Sequence, residues 1–209
     1  MENKMESILD LAIEEVIELY APHTVILYGS HARNEATETS DIDIACFWDR
    51  SEEHKDARLF HGTFLDVWVY PTSFLDSIPE EALRFADGKV VYETRGIGAD
   101  YIARVKQKLA NGKEPMSEVD RLHIQEWVVK MLERARDGDL GGNYRRTWLQ
   151  HDLLKMYFDI RGKWYLGSKK SFQYMKQNDN AIYSLFEQVY ENPLDIDLLD
   201  KLASKVVRI

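Results

Sequence analysis

Two aspartates separated by a single residue are the first feature of this sequence that could do chemistry. Asp41 and Asp43 flank Ile42, and Ile44 follows them. Because side chains at positions i and i+2 of a strand point the same way, a strand here turns both carboxylates to one side and both isoleucines toward a core. Two hard oxygen ligands on one rigid edge suit a pair of Mg²⁺ ions that bridge phosphates. The alternative interpretation is an ordinary polar entrance to a strand.

A glycine and a serine precede the aspartates and could bind phosphate. The β-branched run Thr24 to Tyr28 predicts a buried strand that ends at Gly29-Ser30, with a short helix from His31. Glycine lets backbone approach a ligand closely, and the N–H groups of a helix start, with the serine hydroxyl, suit an anion. Arg33 follows in the first turn, either as a further phosphate contact or as solvated surface. Without the aspartates, the pair could equally be an ordinary turn.

A third acid, Asp66, interrupts the apolar run Thr63 to Tyr70. An unpaired carboxylate among apolar neighbours is costly unless it meets a cation or projects from a strand edge. If this strand pairs beside Asp41 to Trp48, all three acids can share one face. Asp66 would then be a third metal ligand or a base, and the alternative is a buried acid paired with an arginine.

Elements that could position these residues occupy the first half of the chain. Strand signals lie at residues 24–28, 41–48, 63–70 and 89–92, after a helix signal over residues 5–20. Strands that alternate with helices in this way predict a mixed α/β layer.

From about Ala99 onward the pattern is helical. A cap at Ser117 and a stop at Gly138 bound one helix, and the others are predicted near residues 143–162, 168–177, 179–191 and 195–207. The first helix carries the apolar stripe Val119, Leu122, Trp127, Met131, Leu132 and Ala135. The second half is therefore predicted to be a helical bundle.

Charge divides the chain at the same place. The net charge is −9, but residues 1–98 carry 20 acidic and 8 basic side chains, whereas residues 99–209 carry 16 acidic and 19 basic ones. This asymmetry favours two modules. We therefore predict an α+β protein in which residues 1–98 form a mixed-sheet catalytic domain with flanking helices and residues 99–209 form an all-α bundle.

Composition excludes several classes of protein. Hydrophobic residues make up 44% of the chain, which argues against disorder, and no apolar run approaches the ~18 residues of a membrane-spanning helix. The first ten residues do not resemble a signal peptide. One cysteine, Cys46, allows no internal disulfide, fits a reducing compartment and is expected in the core. We therefore expect a cytoplasmic protein, and the negative charge argues against nucleic acid as a partner.

The functional residues resemble those of a family. An apolar strand ending in Gly-Ser, then Asp-x-Asp on a strand and a later strand Asp is the signature of the DNA polymerase β-like nucleotidyltransferase superfamily. The matching residues are Gly29, Ser30, Asp41, Asp43 and Asp66. The resemblance covers roughly residues 20–95, and the layout beyond is similar to that of small bacterial enzymes that nucleotidylate kanamycin- or lincosamide-type antibiotics. Asn34 departs from the glycine of many relatives.

The resemblance implies a reaction and roles. A nucleoside triphosphate is attacked at its α-phosphorus and pyrophosphate leaves. Asp41 and Asp43 would bind two Mg²⁺ ions, Asp66 would bind the ion nearer the nucleophile, and Gly29 and Ser30 would hold the β- and γ-phosphates. Either Asp66 or Glu126 would be the general base. Some relatives build their cleft from two subunits, so a homodimer is a further expectation.

Basic residues in the second half are candidates for closing over the triphosphate. Residues 145–170 carry a net charge of +5 among several aromatic side chains. Lys163 and Lys169 flank a glycine-bearing turn and are predicted to contact the nucleotide. The alternative is that these cations belong to a solvated helical face. Arg146 and His151 also match an Arg-x4-His spacing of helical ribonuclease toxins, a weak pattern.

Three hypotheses about function, from different classes, follow. The first is an enzyme that transfers a nucleoside monophosphate, AMP from ATP or another nucleoside triphosphate, to a hydroxyl of a small molecule such as an aminoglycoside or lincosamide. An acidic first half would attract a cationic acceptor. The second is an antitoxin-like nucleotidyltransferase that binds or AMP-modifies a protein partner. A catalytically silent nucleotide-binding module is a third hypothesis, against which the intact three-acid set counts.

Overall fold

The computed structural model describes residues 7–207, and they form two compact units. Within the described residues, the first unit ends at residue 111 and the second begins at residue 112. A mixed sheet with helices makes up the first unit and helices alone make up the second, so the predicted α+β class is confirmed.

The first unit is built on a five-stranded sheet in the order β3-β4-β2-β1-β5. Strands β2 and β4 are parallel and every other neighbouring pair is antiparallel. The strands are β1 (Thr24–Tyr28), β2 (Ile42–Trp48), β3 (His54–Phe60), β4 (Thr63–Pro71) and β5 (Lys89–Glu93). The helices of this unit are α1 (Ile8–Tyr20), α2 (Gly29–Ala32) and α3 (Gly98–Asn111), with 3₁₀ segments at Thr72–Asp76 and Glu80–Asp87.

Helix α1 packs its apolar side on one face of the sheet. Ala12 and Val16 of α1 are fully buried in one cluster with Ile44, Cys46 and other alternate residues of the central strands. Cys46 thus lies in the core as expected, and burial raises the pKa of its thiol to about 12. Alternation sends the neighbouring side chains, including Asp43, to the opposite face.

Aromatic side chains fill the opposite face of the sheet at the end away from Asp43. Phe47 stacks on Tyr70 with ring centroids 5.9 Å apart, and it meets Phe85 of the second 3₁₀ segment and Tyr101 of α3 edge-on. Because Tyr101 is 1% exposed in this cluster, helix α3 belongs to the core of the first unit.

Besides the 3₁₀ segments, one strand and one helix of the first unit were not predicted from the sequence. Strand β3 is polar and mostly exposed at the sheet edge, so it lacks the apolar alternation that marks a half-buried strand. Helix α3 follows β5 almost directly. The sequence pattern instead places the end of the first domain at residue 98, where this helix begins. The compact units divide after residue 111, because α3 packs with the sheet.

The second unit contains five helices within the described residues, close to their predicted ranges. They are α4 (Glu118–Ala135), α5 (Leu140–Ile160), α6 (Ser168–Asn178), α7 (Asn180–Glu191) and α8 (Ile196–Val207). Ser117 caps α4 as expected, since its hydroxyl accepts a hydrogen bond from the Asp120 amide. The core of this unit combines α5 residues such as Leu149 and Leu153 with residues of the other four helices.

The apolar stripe predicted for α4 is only partly correct. Met131, Leu132 and Ala135 are buried, but Val119 and Leu122 are 76% and 50% exposed. The apolar face is therefore confined to the later turns of α4. No helix within residues 7–207 has the length and apolar character needed to cross a membrane.

Candidate active site

Gly29 and Asp43 are in direct contact at the end of two neighbouring strands. Asp43 pairs with Tyr28 in the antiparallel β1–β2 ladder, and Gly29 follows Tyr28. Gly29 has φ +71°, and a Cβ built on it would lie 2.0 Å from Oδ2 of Asp43. Only glycine can therefore occupy this position, for its backbone conformation and for the space that the carboxylate takes.

Asp43 and Asp66 lie opposite each other on adjacent strands. The parallel β2–β4 ladder puts Asp43 in register with Asp66, so both side chains emerge on the same face of the sheet. This confirms the expectation that the two strands pair. Ile42 and Ile44, whose side chains point to the other face, are buried as expected.

Asp41 stands slightly apart from this pair. It precedes β2, which begins at Ile42 rather than at Asp41, and its side chain is exposed. The negative charge of Asp41 nevertheless affects the pKa of Asp43. Burial, and then the negative charges of Asp66 and Asp41, raise the pKa of Asp43 to about 6, while Arg84 and Arg33 act in the opposite direction.

Asp66 offers an oxygen without a hydrogen bond. Its Oδ1 is buried, receives no hydrogen bond and lies 3.5 Å from the Nζ of Lys55. A buried carboxylate oxygen in this position is costly unless a cation compensates for it. Lys55 provides one such cation, and a divalent ion would be a stronger one.

These carboxylates fit a magnesium site that is completed by a ligand. No group of three or more His, Cys, Asp or Glu side chains in residues 7–207 is already gathered to enclose a metal ion. Mg²⁺, however, is held in phosphate-transferring sites by one or two carboxylates together with the substrate phosphates and water. The paired Asp43 and Asp66, with the free oxygen of Asp66, are consistent with such a site.

Three further side chains near the carboxylates were missed by sequence reasoning. Trp68 follows Asp66 by two residues on the same face, so the alternation of β4 could have identified it. Lys55 lies opposite Trp68 on β3, the strand that was not predicted. Arg84 comes from a 3₁₀ segment that has no recognisable sequence signal.

Arg84 is fixed among aromatic rings. Its guanidinium carbon lies 5.2 Å from the ring centroid of Tyr28 and 5.4 Å from that of Trp68, and Nη2 donates a hydrogen bond to the Tyr70 hydroxyl. Since Arg84 also counteracts the rise in the pKa of Asp43, it is a resident positive charge of the site.

The predicted phosphate loop forms a single helical turn. Helix α2 begins at Gly29 rather than at His31, and Ser30 lies in this turn. Arg33 ends it and pairs with Glu35 at 2.9 Å and with Asp87 at 4.0 Å. Phosphate binding by Ser30 and Arg33 stays a prediction.

The cations predicted for nucleotide contact lie in the second unit. Lys163 is exposed near the ring of Tyr174, and Lys169 is exposed at the start of α6. Glu126 lines a groove between α4 and α8. Of the Arg-x4-His pair, Arg146 bonds to Asn143 and His151 pairs with Asp152.

Comparison with known proteins finds a similarity within the first unit. The model of the family described as "Nucleotidyltransferase domain" matches residues 9–95, which include Gly29 and all three aspartates. Residues 9–95 are therefore similar to a nucleotidyltransferase domain. This similarity supports nucleotidyl transfer as the chemistry of the chain.

Two further comparisons add no functional detail. A solved structure, the nucleotidyltransferase-like protein from Exiguobacterium sibiricum, is 18% identical over 93% of this chain and 74% of its own, with a TM-score of 0.40. A likeness of this size carries no conclusion about function. No curated protein matches the chain.

Proposed function

We propose that this protein is a Mg²⁺-dependent nucleotidyltransferase that moves a nucleoside monophosphate, AMP from ATP, to a hydroxyl group of a small molecule. A small cationic antibiotic of the aminoglycoside or lincosamide type is the proposed acceptor. The observation that carries the proposal is the register of Asp43 with Asp66, next to Gly29. All three residues lie in the segment that matches the nucleotidyltransferase-domain model.

The proposed reaction is a single displacement at phosphorus. The acceptor hydroxyl oxygen forms a bond to the α-phosphorus, the bond from that phosphorus to the bridging oxygen breaks, and pyrophosphate leaves. Divalent ions bound at the aspartates would stabilise the charge on the attacking and leaving oxygens. Asp66 would take the hydroxyl proton on the carboxylate oxygen that does not bind the ion.

The surroundings of the carboxylates support a phosphate-binding role for the loop. Gly29 brings the backbone of the Gly29-Ser30 turn against the carboxylate of Asp43. A triphosphate held by this turn would lie beside the metal ligands. Arg33, which ends the turn, would add a positive charge once its pairs with Glu35 and Asp87 opened.

Charge supports a cationic acceptor. Residues 1–98 carry 20 acidic side chains against 8 basic ones. A surface of one sign raises the local concentration of ligands of the opposite sign, so an acidic domain favours polyamine-like acceptors over acidic ones.

Lys163 and Lys169 remain proposed nucleotide contacts in the second unit. Both side chains are exposed, so their ammonium groups are accessible to a ligand in solvent. The double substitution to glutamine tests them, with Lys201→Gln of α8 as the control for an exposed lysine. We expect a higher KM for ATP with an intact fold, measured by initial rates.

The direct test is transfer from labelled ATP. Full-length protein is incubated with Mg²⁺, α-labelled ATP and a panel of aminoglycosides and lincosamides, and pyrophosphate release and labelled acceptor are measured. We expect transfer to at least one acceptor, and a loss of at least about a hundredfold in Asp43→Asn, because a charge that stabilises the transition state is removed.

The matched control is Asp76→Asn, which removes an exposed carboxylate of the first 3₁₀ segment. It should transfer at the rate of the unmodified protein. If none of the acceptors in the panel gives pyrophosphate release, the antibiotic assignment is overturned. A fully active Asp43→Asn would overturn the catalytic site. Label found on a co-purifying protein would instead favour the antitoxin-like alternative.

A further inference from the structure

The ion pair between Lys55 and Asp66 joins a strand that sequence reasoning missed to the carboxylate pair. Lys55 lies on edge strand β3, directly opposite Trp68 and diagonal to Asp66, on the same face of the sheet. Its Nζ lies 3.5 Å from Oδ1 of Asp66 and 4.4 Å from the ring centroid of Trp68. Two separate attractions therefore hold the ammonium over this end of the site.

The Asp66 oxygen concerned is the one that a cation would bind. Oδ1 is buried and receives no hydrogen bond, and the 3.5 Å separation from Lys55 is too long to be one. The lysine therefore compensates the charge of the carboxylate without using up its lone pairs. A divalent ion bound to the same oxygen would meet a positive charge within a few ångströms.

Lys55 differs from the other cation of the site in its freedom to move. Arg84 is packed among aromatic rings and bonded to the Tyr70 hydroxyl. The Lys55 side chain is 45% exposed on an edge strand, and Asp66 is 26% exposed. The ammonium can therefore turn into solvent by rotation of its own side chain.

We propose that Lys55 is a built-in counter-ion of Asp66 that competes with the divalent cation and thereby sets the metal affinity of the site. It is a positioning residue, because it acts on Asp66 and not on a substrate. This inference rests on the proposed function, since it presumes that Asp66 binds a divalent ion. Its physical basis is the repulsion between an ammonium and a metal ion that need the same carboxylate oxygen.

Manganese binding to the full-length protein tests the competition without any turnover. Mn²⁺ is titrated into metal-free protein, and the electron paramagnetic resonance signal of the free ion gives the dissociation constant. In Lys55→Met we expect Mn²⁺ to bind about tenfold more tightly, because one unit charge close to the ion is removed. Lys55→Arg keeps the charge and should bind Mn²⁺ as the unmodified protein does.

Two further variants separate this effect from others. Lys106→Met, on the exposed side of α3, removes the same charge away from the carboxylates and should leave Mn²⁺ affinity unchanged. Asp43→Asn removes a proposed ligand and should weaken binding. Melting temperatures establish that each variant is folded.

The outcomes distinguish the inference from the function on which it rests. Equal or weaker Mn²⁺ binding in Lys55→Met, with binding lost in Asp43→Asn, overturns the competition and leaves the metal site standing. Mn²⁺ binding that is unchanged in Asp43→Asn overturns the proposed metal site, and the inference with it. If Lys106→Met also binds Mn²⁺ more tightly, the change in affinity follows from the net charge of the protein. That outcome would also overturn the competition.

Discussion

At the scale of single residues, the site depends on the close approach of the Asp43 carboxylate to the backbone of Gly29. A side chain at Gly29 would collide with Oδ2 of Asp43 and would also need a left-handed backbone. The carboxylate in turn is partly buried beside two others, which makes its negative charge unfavourable. Both features are expected of a site that is completed by a cation and a phosphate.

Gly29→Ala should therefore destabilise the fold and abolish transfer. The left-handed conformation alone costs an alanine about 1–2 kcal/mol, and the clash with Asp43 adds to it. Gly62→Ala is the matched control, because Gly62 also has a positive φ (+86°) but a Cβ added there would meet no atom within 4 Å. We expect Gly62→Ala to show the conformational cost only and to keep activity, as measured by urea unfolding and by pyrophosphate release. Equal losses of stability in the two variants would contradict the clash.

Asp43→Asn should stabilise the metal-free protein at neutral pH. The pKa of Asp43 is raised from 3.8 to about 6, so its ionisation disfavours the folded state above pH 6 and has no such effect below about pH 4. The gain in melting temperature of Asp43→Asn should accordingly be largest above pH 6 and shrink as the pH falls toward 4. Thermal scans from pH 4 to 8 in a chelating buffer measure it, with Asp76→Asn run beside it. A gain that grows as the pH falls would contradict the assignment.

At the scale of elements, strand register brings the site together and helix α3 supports the sheet that carries it. The parallel ladder from Ile42 to Trp48 aligns Asp43 with Asp66, and a shift by one residue would turn one of them into the core. At the other end of the sheet, Oε1 of Glu93 accepts hydrogen bonds of 2.6 Å from the amides of Ile97 and Gly98. This carboxylate therefore caps the start of α3.

Removing this cap should loosen α3. Glu93→Ala leaves two amide groups without their acceptor, and we expect a loss of about 1–2 kcal/mol of stability with faster hydrogen exchange in the first turn of α3. Glu93→Gln retains an oxygen acceptor and should lose less. Glu18→Gln, at an exposed position of α1, controls for the loss of a surface charge. Unchanged exchange in α3 of Glu93→Ala would show that the cap is dispensable.

At the scale of the whole molecule, each of the two units has a core of its own. The first unit buries aromatic residues of the sheet against Tyr101 of α3, and the second buries apolar residues from five helices around Leu149 and Leu153. Separate cores are what independent folding requires.

Truncation tests where the first unit ends. A fragment of residues 1–111 should fold cooperatively, as followed by circular dichroism and thermal melting. A fragment of residues 1–98 lacks Tyr101, Ile102 and Val105, which are all buried, and should be substantially less stable, since each such loss costs about 2–5 kcal/mol. Two fragments of equal stability would place the boundary at residue 98 instead.

The sequence alone determined the features of this protein that depend on local pattern. The apolar runs located four of the five strands, the 3.6-residue period located the helices of the second unit, and the spacing of Gly29, Asp43 and Asp66 pointed to the chemistry. These features follow from side-chain periodicity and backbone preferences, which act over a few residues.

Only the tertiary structure decided what depends on neighbours distant in the chain. The polar strand β3 exists because β4 offers it a partner, and through it Lys55 reaches Asp66. The position of Arg84 also depends on distant residues, because its guanidinium packs on aromatic rings of two strands. The sequence identified the carboxylates, while the cations that balance them were set by strand pairing and packing, which no short sequence pattern records.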